Sequence, residues 1–248
     1  MRLEGKVVVV TGAAKGIGAA IVEVCVREGA KVAALDLDGA GVERLATALR
    51  GRGADVLALS ADVTRSPDIS RAFEAVRERW GRVDVLVNNA GGFAVIRSTE
   101  EIPEEEWNAI VASNLTSVFL CTKAVLPIMK RQRYGRIVNL ASVVGRAGAV
   151  RVTSHYAAAK AGVMALTRCA ALDVAGHGIR VNAVAPSLAV HPFLAKVTSE
   201  DLLAELAGRE PFGRAAEPWE VANVMVFLAS DYASYMTGEV VSVSAQHP

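Results

Sequence analysis

The chain has 248 residues, enough for one large domain with a full core or for two small ones. Its 52% apolar and 21% charged residues exclude a disordered chain, and a net charge of +1 without a basic block excludes a role on nucleic acid or on an anionic membrane surface. Cys25, Cys121 and Cys169 are odd in number and far apart, with no CxxC pair and no metal-ligand spacing, so a reduced, cytoplasmic protein is expected. Met1 to Val10 begins charged and turns apolar, but the run is too short for a signal peptide and Lys15 soon follows. No segment reads as long and apolar enough to span a bilayer, so no membrane partner is expected.

Lys6 to Thr11 is a β-branched run ending at Gly12. A helix is expected over Ile17 to Glu28 and a second strand over Lys31 to Leu35, which makes a β-turn-α-β unit. The alternation continues with a helix over Val42 to Arg50, a strand over Val56 to Leu59, a helix over Pro67 to Trp80 and a strand over Val83 to Val87. Glu104 to Arg131 reads as a long helical region that Pro127 should bend or end. Then come a strand over Arg136 to Leu140, a helix over His155 to Val174 and a strand over Ile179 to Val184. A helix over Trp219 to Ala229 and a short strand over Val240 to Val243 close the chain, and Pro186 to Gly213 reads as irregular, the candidate for a mobile lid. Near-continuous apolar strands with helices between them predict an α/β fold: a doubly wound parallel sheet covered on both faces. With no linker or repeat, one domain is expected, with a cofactor half over about residues 1–95 and a catalytic half over 96–248.

Thr11-Gly12-Ala13-Ala14-Lys15-Gly16-Ile17-Gly18 lies between the first strand and the first helix. Glycines permit a tight turn and let backbone N–H groups approach a pyrophosphate, while the helix N-terminus adds positive potential. The spacing is Gly-x3-Gly-x-Gly, which departs from the common Gly-x-Gly-x-x-Gly. Asp36 follows the second strand, where a carboxylate accepts hydrogen bonds from a ribose diol, or is merely solvated. Asp62 follows the third strand and is placed to face an adenine edge. Asn88-Asn89-Ala90-Gly91 follows the fourth, at the end where ligands of open α/β sheets sit, although such Asn residues also simply satisfy loop backbone. Tyr156 and Lys160 are four apart, one turn from each other on one helix face. A phenol with a pKa of about 10 is a poor acid–base group at neutral pH, and a nearby ammonium should pull it down.

Together these residues resemble the classical short-chain dehydrogenase/reductase family, in its 3-oxoacyl reductase-like branch, over essentially the whole chain. TGAAKGIG is similar to its cofactor loop, NNAG to its sheet-stabilising motif and NAVAP at 182–186 to the segment beside the nicotinamide. The resemblance implies a seven-stranded parallel sheet of Rossmann-like arrangement, a homotetramer, and a catalytic tetrad of Asn114, Ser142, Tyr156 and Lys160. It implies nicotinamide binding by Gly12, Lys15, Gly16, Ile17, Gly18, Asp36, Asp62, Val63, Asn88, Ala90, Gly91, Pro186 and Ala189, with Tyr156 and Lys160. Tyr156 would move the proton, Ser142 orient the substrate oxygen, Lys160 lower the Tyr156 pKa and hold the ribose, and Asn114 hold a water leading from Lys160 to solvent. No metal is implied, and the four histidines have no ligand spacing. Asp36 followed by Leu37, where NADP-specific members often place Arg, favours NAD(H) over NADP(H), with Lys15 opposing. A nicotinamide-binding regulator without turnover is the alternative, but such proteins usually lose the Tyr or the Lys.

Three departures stand out. The spacing from Ser142 to Tyr156 is slightly longer than usual; Ser187 and His191 stand where the family has Gly and a carboxamide-binding Thr; Val243-Ser244-Ala245-Gln246 replaces the usual Val-Asp-Gly-Gly. The substrate wall is expected over Ala147 to Ser154 and His191 to Leu206. Its Val150, Val152, Phe193, Leu194, Leu202 and Leu203 suit an apolar small molecule, and Arg146 and Arg151 either meet an anionic group such as a CoA phosphate or, as exposed loop arginines usually are, are simply solvated. The segment from Phe212 to Pro218 and the C-terminal sequence resemble a branch acting on acyl-CoA intermediates of bacterial steroid-ring breakdown, so the expected substrate is a 3-oxoacyl or steroid-derived acyl thioester.

Overall fold

The computed structural model describes residues 3–93, 95–148, 154–190 and 199–244. Seven strands form one parallel sheet: β1 (Val7–Thr11), β2 (Lys31–Asp36), β3 (Val56–Ser60), β4 (Val85–Asn88), β5 (Gly135–Leu140), β6 (Ile179–Pro186) and β7 (Val240–Val243), in the order β3-β2-β1-β4-β5-β6-β7. The expected fold is therefore observed. The order reverses between β1 and β4, so their C-terminal ends, Thr11 and Asn88, open a crevice at the topological switch point.

β1 shows why its valines are unbroken. Val8 and Val10 enter a core with α1 (Gly16–Arg27), α2 (Gly39–Arg50) and the late helix α9 (Pro218–Ala229). Val7 and Val9 enter the opposite core with α3 (Ser66–Trp80), α5 (Ser117–Gln132) and α7 (Ser154–Val174). A strand buried on both faces needs apolar residues at every position, not at alternate ones.

The long helical region is α4 (Glu104–Val111), one π turn (Ala112–Thr116) and α5. Of the two outcomes expected at Pro127, an end to the helix is not observed: α5 runs on to Gln132. Pro127 sits on the exposed side, where water can take the carbonyl that loses its helical partner. The run Glu104–Gln132 spans 29 residues with a mean hydropathy of 1.6 in its most apolar window, so by length and composition one segment does reach membrane-spanning size, which corrects the sequence reading. Its stripe Val118, Cys121, Val125 and Met129 lies buried in the cores beside the sheet. The segment expected to be irregular also holds a helix, α8 (Glu200–Arg209), capped by the Ser199 hydroxyl accepting from the Leu202 N–H at 3.2 Å. A short α6 (Val144–Ala147) precedes α7. Gly145 of α6 packs on the α7 backbone at Lys160 and Ala161, where an added Cβ would lie 2.7 Å from the Ala161 nitrogen.

Candidate active site

At the switch point the loops after β1 and β4 are stitched together. The Thr11 hydroxyl accepts from the N–H groups of Asn89 (3.0 Å) and Ala90 (3.1 Å). The Asn89 amide donates to the carbonyls of Thr11 (3.0 Å) and Gly12 (2.9 Å). Side chains are excluded where these loops touch: a Cβ on Gly12, which has φ of 65°, would lie 2.8 Å from the Ala90 Cα, and one on Gly18 would drive into the Gly12 carbonyl. α1 begins at Gly16 and Ile17 with no side-chain cap and no acidic residue in its first turn, which leaves its N–H groups for an anion. Lys15 stands exposed at its start. The cradle therefore fits the pyrophosphate of a dinucleotide.

Asp36 ends β2 with its carboxylate fixed by the N–H groups of Ala14 and Asp38, each at 2.9 Å. Leu37 beside it is 73% exposed. Past β3, Asp62 accepts from the backbone (2.9 Å) and hydroxyl (2.6 Å) of Thr64 across Val63, so it shapes the turn there. Asn88 points into the protein: its amide donates to Asn139 at 2.9 Å, and Asn139 donates to Thr167 at 2.9 Å, a buried chain from β4 through β5 to α7. Gly91 is required by Asn114, whose Oδ1 would lie 2.5 Å from a Cβ there.

Asn114 sits in the π turn, fully buried. Its amide donates to the carbonyls of Ile110 (3.0 Å) and Gly92 (2.8 Å), and its oxygen accepts from the Gly92 N–H at 2.8 Å. It thus ties the widened turn to the loop after β4. Ser142, just past β5, stands beside the Tyr156 phenol, close enough to favour its ionised form. Lys160, 2% exposed, donates to the Leu140 carbonyl at 2.8 Å and lies 5.5 Å from the centre of the Tyr156 ring. Burial pushes the Tyr156 phenol up to about 12, with the Ser142 hydroxyl pulling the other way. Burial pushes the Lys160 ammonium down to about 8. The expected lowering of Tyr156 by Lys160 is thus not what the structure has. The ammonium is turned to a carbonyl, and desolvation dominates both groups. Pro186 ends β6, and Ala189 forms a bridge to Ala216 that pins the start of the segment leading to α8.

Val150, Arg151, Val152, His191, Phe193 and Leu194 of the expected substrate wall lie outside the described residues, whereas Leu202 and Leu203 are half-buried on α8. Arg146 does not wait for an anion: its guanidinium donates to the Val240 carbonyl at 2.6 Å and the Ser242 hydroxyl at 3.0 Å, covering the edge strand β7. Ser187 donates to Glu210 at 3.2 Å, joining the end of β6 to the residue after α8. Sequence reasoning passed over Phe93, whose ring centre is 4.8 Å from that of Tyr156, and the contact of buried His155 with half-buried Glu106. No spacing rule reaches these contacts, because their partners come from separate elements.

A switch-point cradle, a buried Lys one turn from a Tyr and a Ser hydroxyl on that Tyr now stand together. The family model described as Enoyl-(Acyl carrier protein) reductase matches residues 12–245. The chain belongs to the short-chain dehydrogenase/reductase family, in its 3-oxoacyl reductase-like branch. It is an NAD(P)-dependent oxidoreductase. Among members of the family, it is 49% identical over 99% of its length, and 94% of the relative's, to a (5R,7aS)-5-hydroxy-7a-methyl-1-oxo-2,3,5,6,7,7a-hexahydro-1H-indene-carboxyl-CoA reductase of Mycobacterium tuberculosis. It is 43% identical to a 3-oxoacyl-[acyl-carrier-protein] reductase of Thermotoga maritima, over 98% of both chains. Among solved structures, levodione reductase superposes with a TM-score of 0.94 at 36% identity, over 98% of both chains. A 3-ketoacyl-(acyl-carrier-protein) reductase of Brucella melitensis complexed with NADH does so with 0.91 at 33% identity, over 97% of both.

Proposed function

We propose that the protein moves hydride reversibly between NAD(H) and a secondary alcohol or ketone on an apolar acyl thioester, with a ring-bearing acyl-CoA as the favoured substrate. The observation that carries this reading is the juxtaposition of Ser142 and the Tyr156 phenol beyond β5, with Lys160 buried one turn further on. The likeness to the hexahydroindene-carboxyl-CoA reductase supports the ring-bearing acyl-CoA, and Phe93, Leu202 and Leu203 supply apolar contact.

A bound nicotinamide supplies the hydride chemistry. Gly12, Gly16, Ile17 and Gly18 would hold its pyrophosphate, Asp36 its adenosine ribose, and Asn88, Ala90, Gly91, Pro186 and Ala189 would shape the crevice toward the reacting end. Tyr156 gives its proton to the substrate oxygen in reduction and takes it back in oxidation. Burial keeps the phenol protonated at neutral pH, so the proton to be given up is in place, although raising the pKa makes the phenol a weaker acid. The Ser142 hydroxyl orients the substrate oxygen beside the phenol. Lys160 would hold the ribose hydroxyls of the bound cofactor, and Asn114 fixes the π turn against the loop after β4. Asp36 favours NAD(H), because its fixed carboxylate accepts from a diol and repels a 2′-phosphate.

We expect a cytoplasmic homotetramer. The cysteines are free, and Phe119 on α5 and Ala165 and Leu172 on α7 form an exposed apolar face suited to a helix-pair dimer. Light scattering at micromolar concentration should report four subunits, and a monomer would remove this assembly. The activity is tested with NADH and a ketone panel of straight-chain 3-oxoacyl-CoA, bicyclic keto acyl-CoA and simple sugars. Oxidation of NADH fastest with the bicyclic thioester is expected, and turnover confined to sugars would refute the reading.

A further inference from the structure

His155 is fully buried in the first turn of α7, directly before Tyr156. Its Nδ1 accepts a hydrogen bond from the Tyr156 backbone N–H at 2.7 Å. A backbone N–H only donates, so Nδ1 carries no hydrogen and the proton of the neutral ring sits on Nε2. Nε2 faces the Glu106 carboxylate on α4 at 3.0 Å and donates to it. Arg97, in the loop after β4, donates to the other oxygen of the same carboxylate at 3.0 Å. That stretch also meets α7 directly, through the Thr99 and Ser154 hydroxyls at 3.1 Å and through the Phe93 ring on the Tyr156 ring.

The first N–H groups of a helix have no partner inside it, and a buried one left unpaired is costly. Here that N–H belongs to the residue whose hydroxyl must meet the substrate oxygen. A Ser or Asn would cap a helix start without burying an imidazole. With His155 buried and the Glu106 side chain 24% exposed, the pair is weak evidence for stability, because desolvation of the imidazole offsets the attraction. What it does supply is one fixed placement: the hydrogen bonds run from Arg97 through Glu106 and His155 to the Tyr156 backbone. The His155 hydrogen bond, and then Arg97, hold the Glu106 carboxyl below the usual carboxylate range, so the acceptor at the centre of the chain is ionised at neutral pH.

We propose that His155 and Glu106 are positioning residues that fix the backbone of Tyr156, and with it the phenol beside Ser142, for proton transfer. This rests on Tyr156 being the proton donor. The protein is assayed on whichever ketone of the panel above it reduces fastest, with NADH affinity measured by fluorescence titration. His155→Phe keeps the ring and removes both nitrogens. It should lower kcat about tenfold, since misplacement of a reacting group by about 1 Å costs up to about a hundredfold, and leave KM and NADH affinity within about twofold. Glu106→Leu should match it, Glu106→Gln, which keeps an acceptor for Nε2–H, should retain most of kcat, and combining His155→Phe with Glu106→Leu should cost no more than either alone. In a Tyr156→Phe background, His155→Phe should change nothing further. If His155→Phe fails to bind NADH, Glu106→Leu and Glu106→Gln decide the matter by the same readings. Wild-type kcat in His155→Phe, additive losses, equal losses in Glu106→Gln and Glu106→Leu, or a loss confined to KM overturns the inference. Full activity in Tyr156→Phe overturns the underlying reading of Tyr156 instead, and a wild type inactive on every ketone overturns both.

Discussion

The loops at the ends of β1 and β4 and the start of α7 face the same crevice but are held there by different means. Between β1 and β4 the constraint is backbone on backbone: Gly12 lies against Ala90, Gly18 lies under the Gly12 carbonyl, and Asn89 and Thr11 hydrogen-bond almost only to main chain. At α7 the constraint is side chain on side chain: Ser142 on Tyr156, Phe93 on Tyr156, and Glu106 on His155. Backbone contacts demand particular small residues at particular positions, whereas side-chain contacts accept substitutes that keep a hydrogen bond or a volume. The nucleotide end should therefore fail abruptly when altered, and the catalytic end by degrees.

The largest loss of stability is expected at Gly18. In Gly18→Ala the new methyl meets a carbonyl that cannot swing aside, and overpacking of that kind costs about 3 kcal/mol. Urea unfolding should show that loss, with NADH affinity falling alongside. A variant of unchanged midpoint and affinity would mean that the contact between the loops is easily relaxed.

This contrast also explains what the sequence disclosed. The unbroken valines of β1, the glycine loop and the Asn pair carry local rules, so the parallel sheet and the nucleotide end were legible from them. Tyr156 and Lys160 were legible as a pair because four residues make one helical turn. The role of Glu106 was hidden, because its partner is 49 residues away and both residues pass for ordinary helix surface in the sequence. Pro127 misled because its cost depends on exposure, which periodicity does not give. Arg146 looked free for a ligand only because the edge strand that takes its hydrogen bonds lies about 95 residues later.

The next effect sharpens the catalytic side. Lys160 has its ammonium lowered from 10.5 to about 8 by burial, so the folded protein binds fewer protons than the unfolded chain between those values. The burial penalty is fully present below pH 8 and is relieved as pH rises toward 10.5. Without added nucleotide, the wild type should gain about 2 kcal/mol relative to Lys160→Met between about pH 8 and 10, read from urea midpoints. A parallel pH dependence in the two proteins would show that Lys160 keeps its ordinary pKa in the fold.

Smaller again is the effect of Asp36, which stands on the nucleotide side but acts through its charge. NAD(H) should be used at least about tenfold more efficiently than NADP(H), a difference of about 1.4 kcal/mol, and Asp36→Ala should narrow the gap. Equal or reversed kcat/KM values in the wild type would refute the role given to Asp36.

One proton, that of the Tyr156 phenol, decides the proposed reaction. Tyr156→Phe keeps the ring beside Phe93 and removes only the hydroxyl that Ser142 meets. Single-turnover oxidation of prebound NADH by a saturating ketone separates that step from binding. The rate should fall by about 10²–10⁴-fold while NADH binds as in the wild type, the range expected for loss of a general acid. A variant that keeps more than about half of the wild-type rate would contradict the claim that Tyr156 carries the proton.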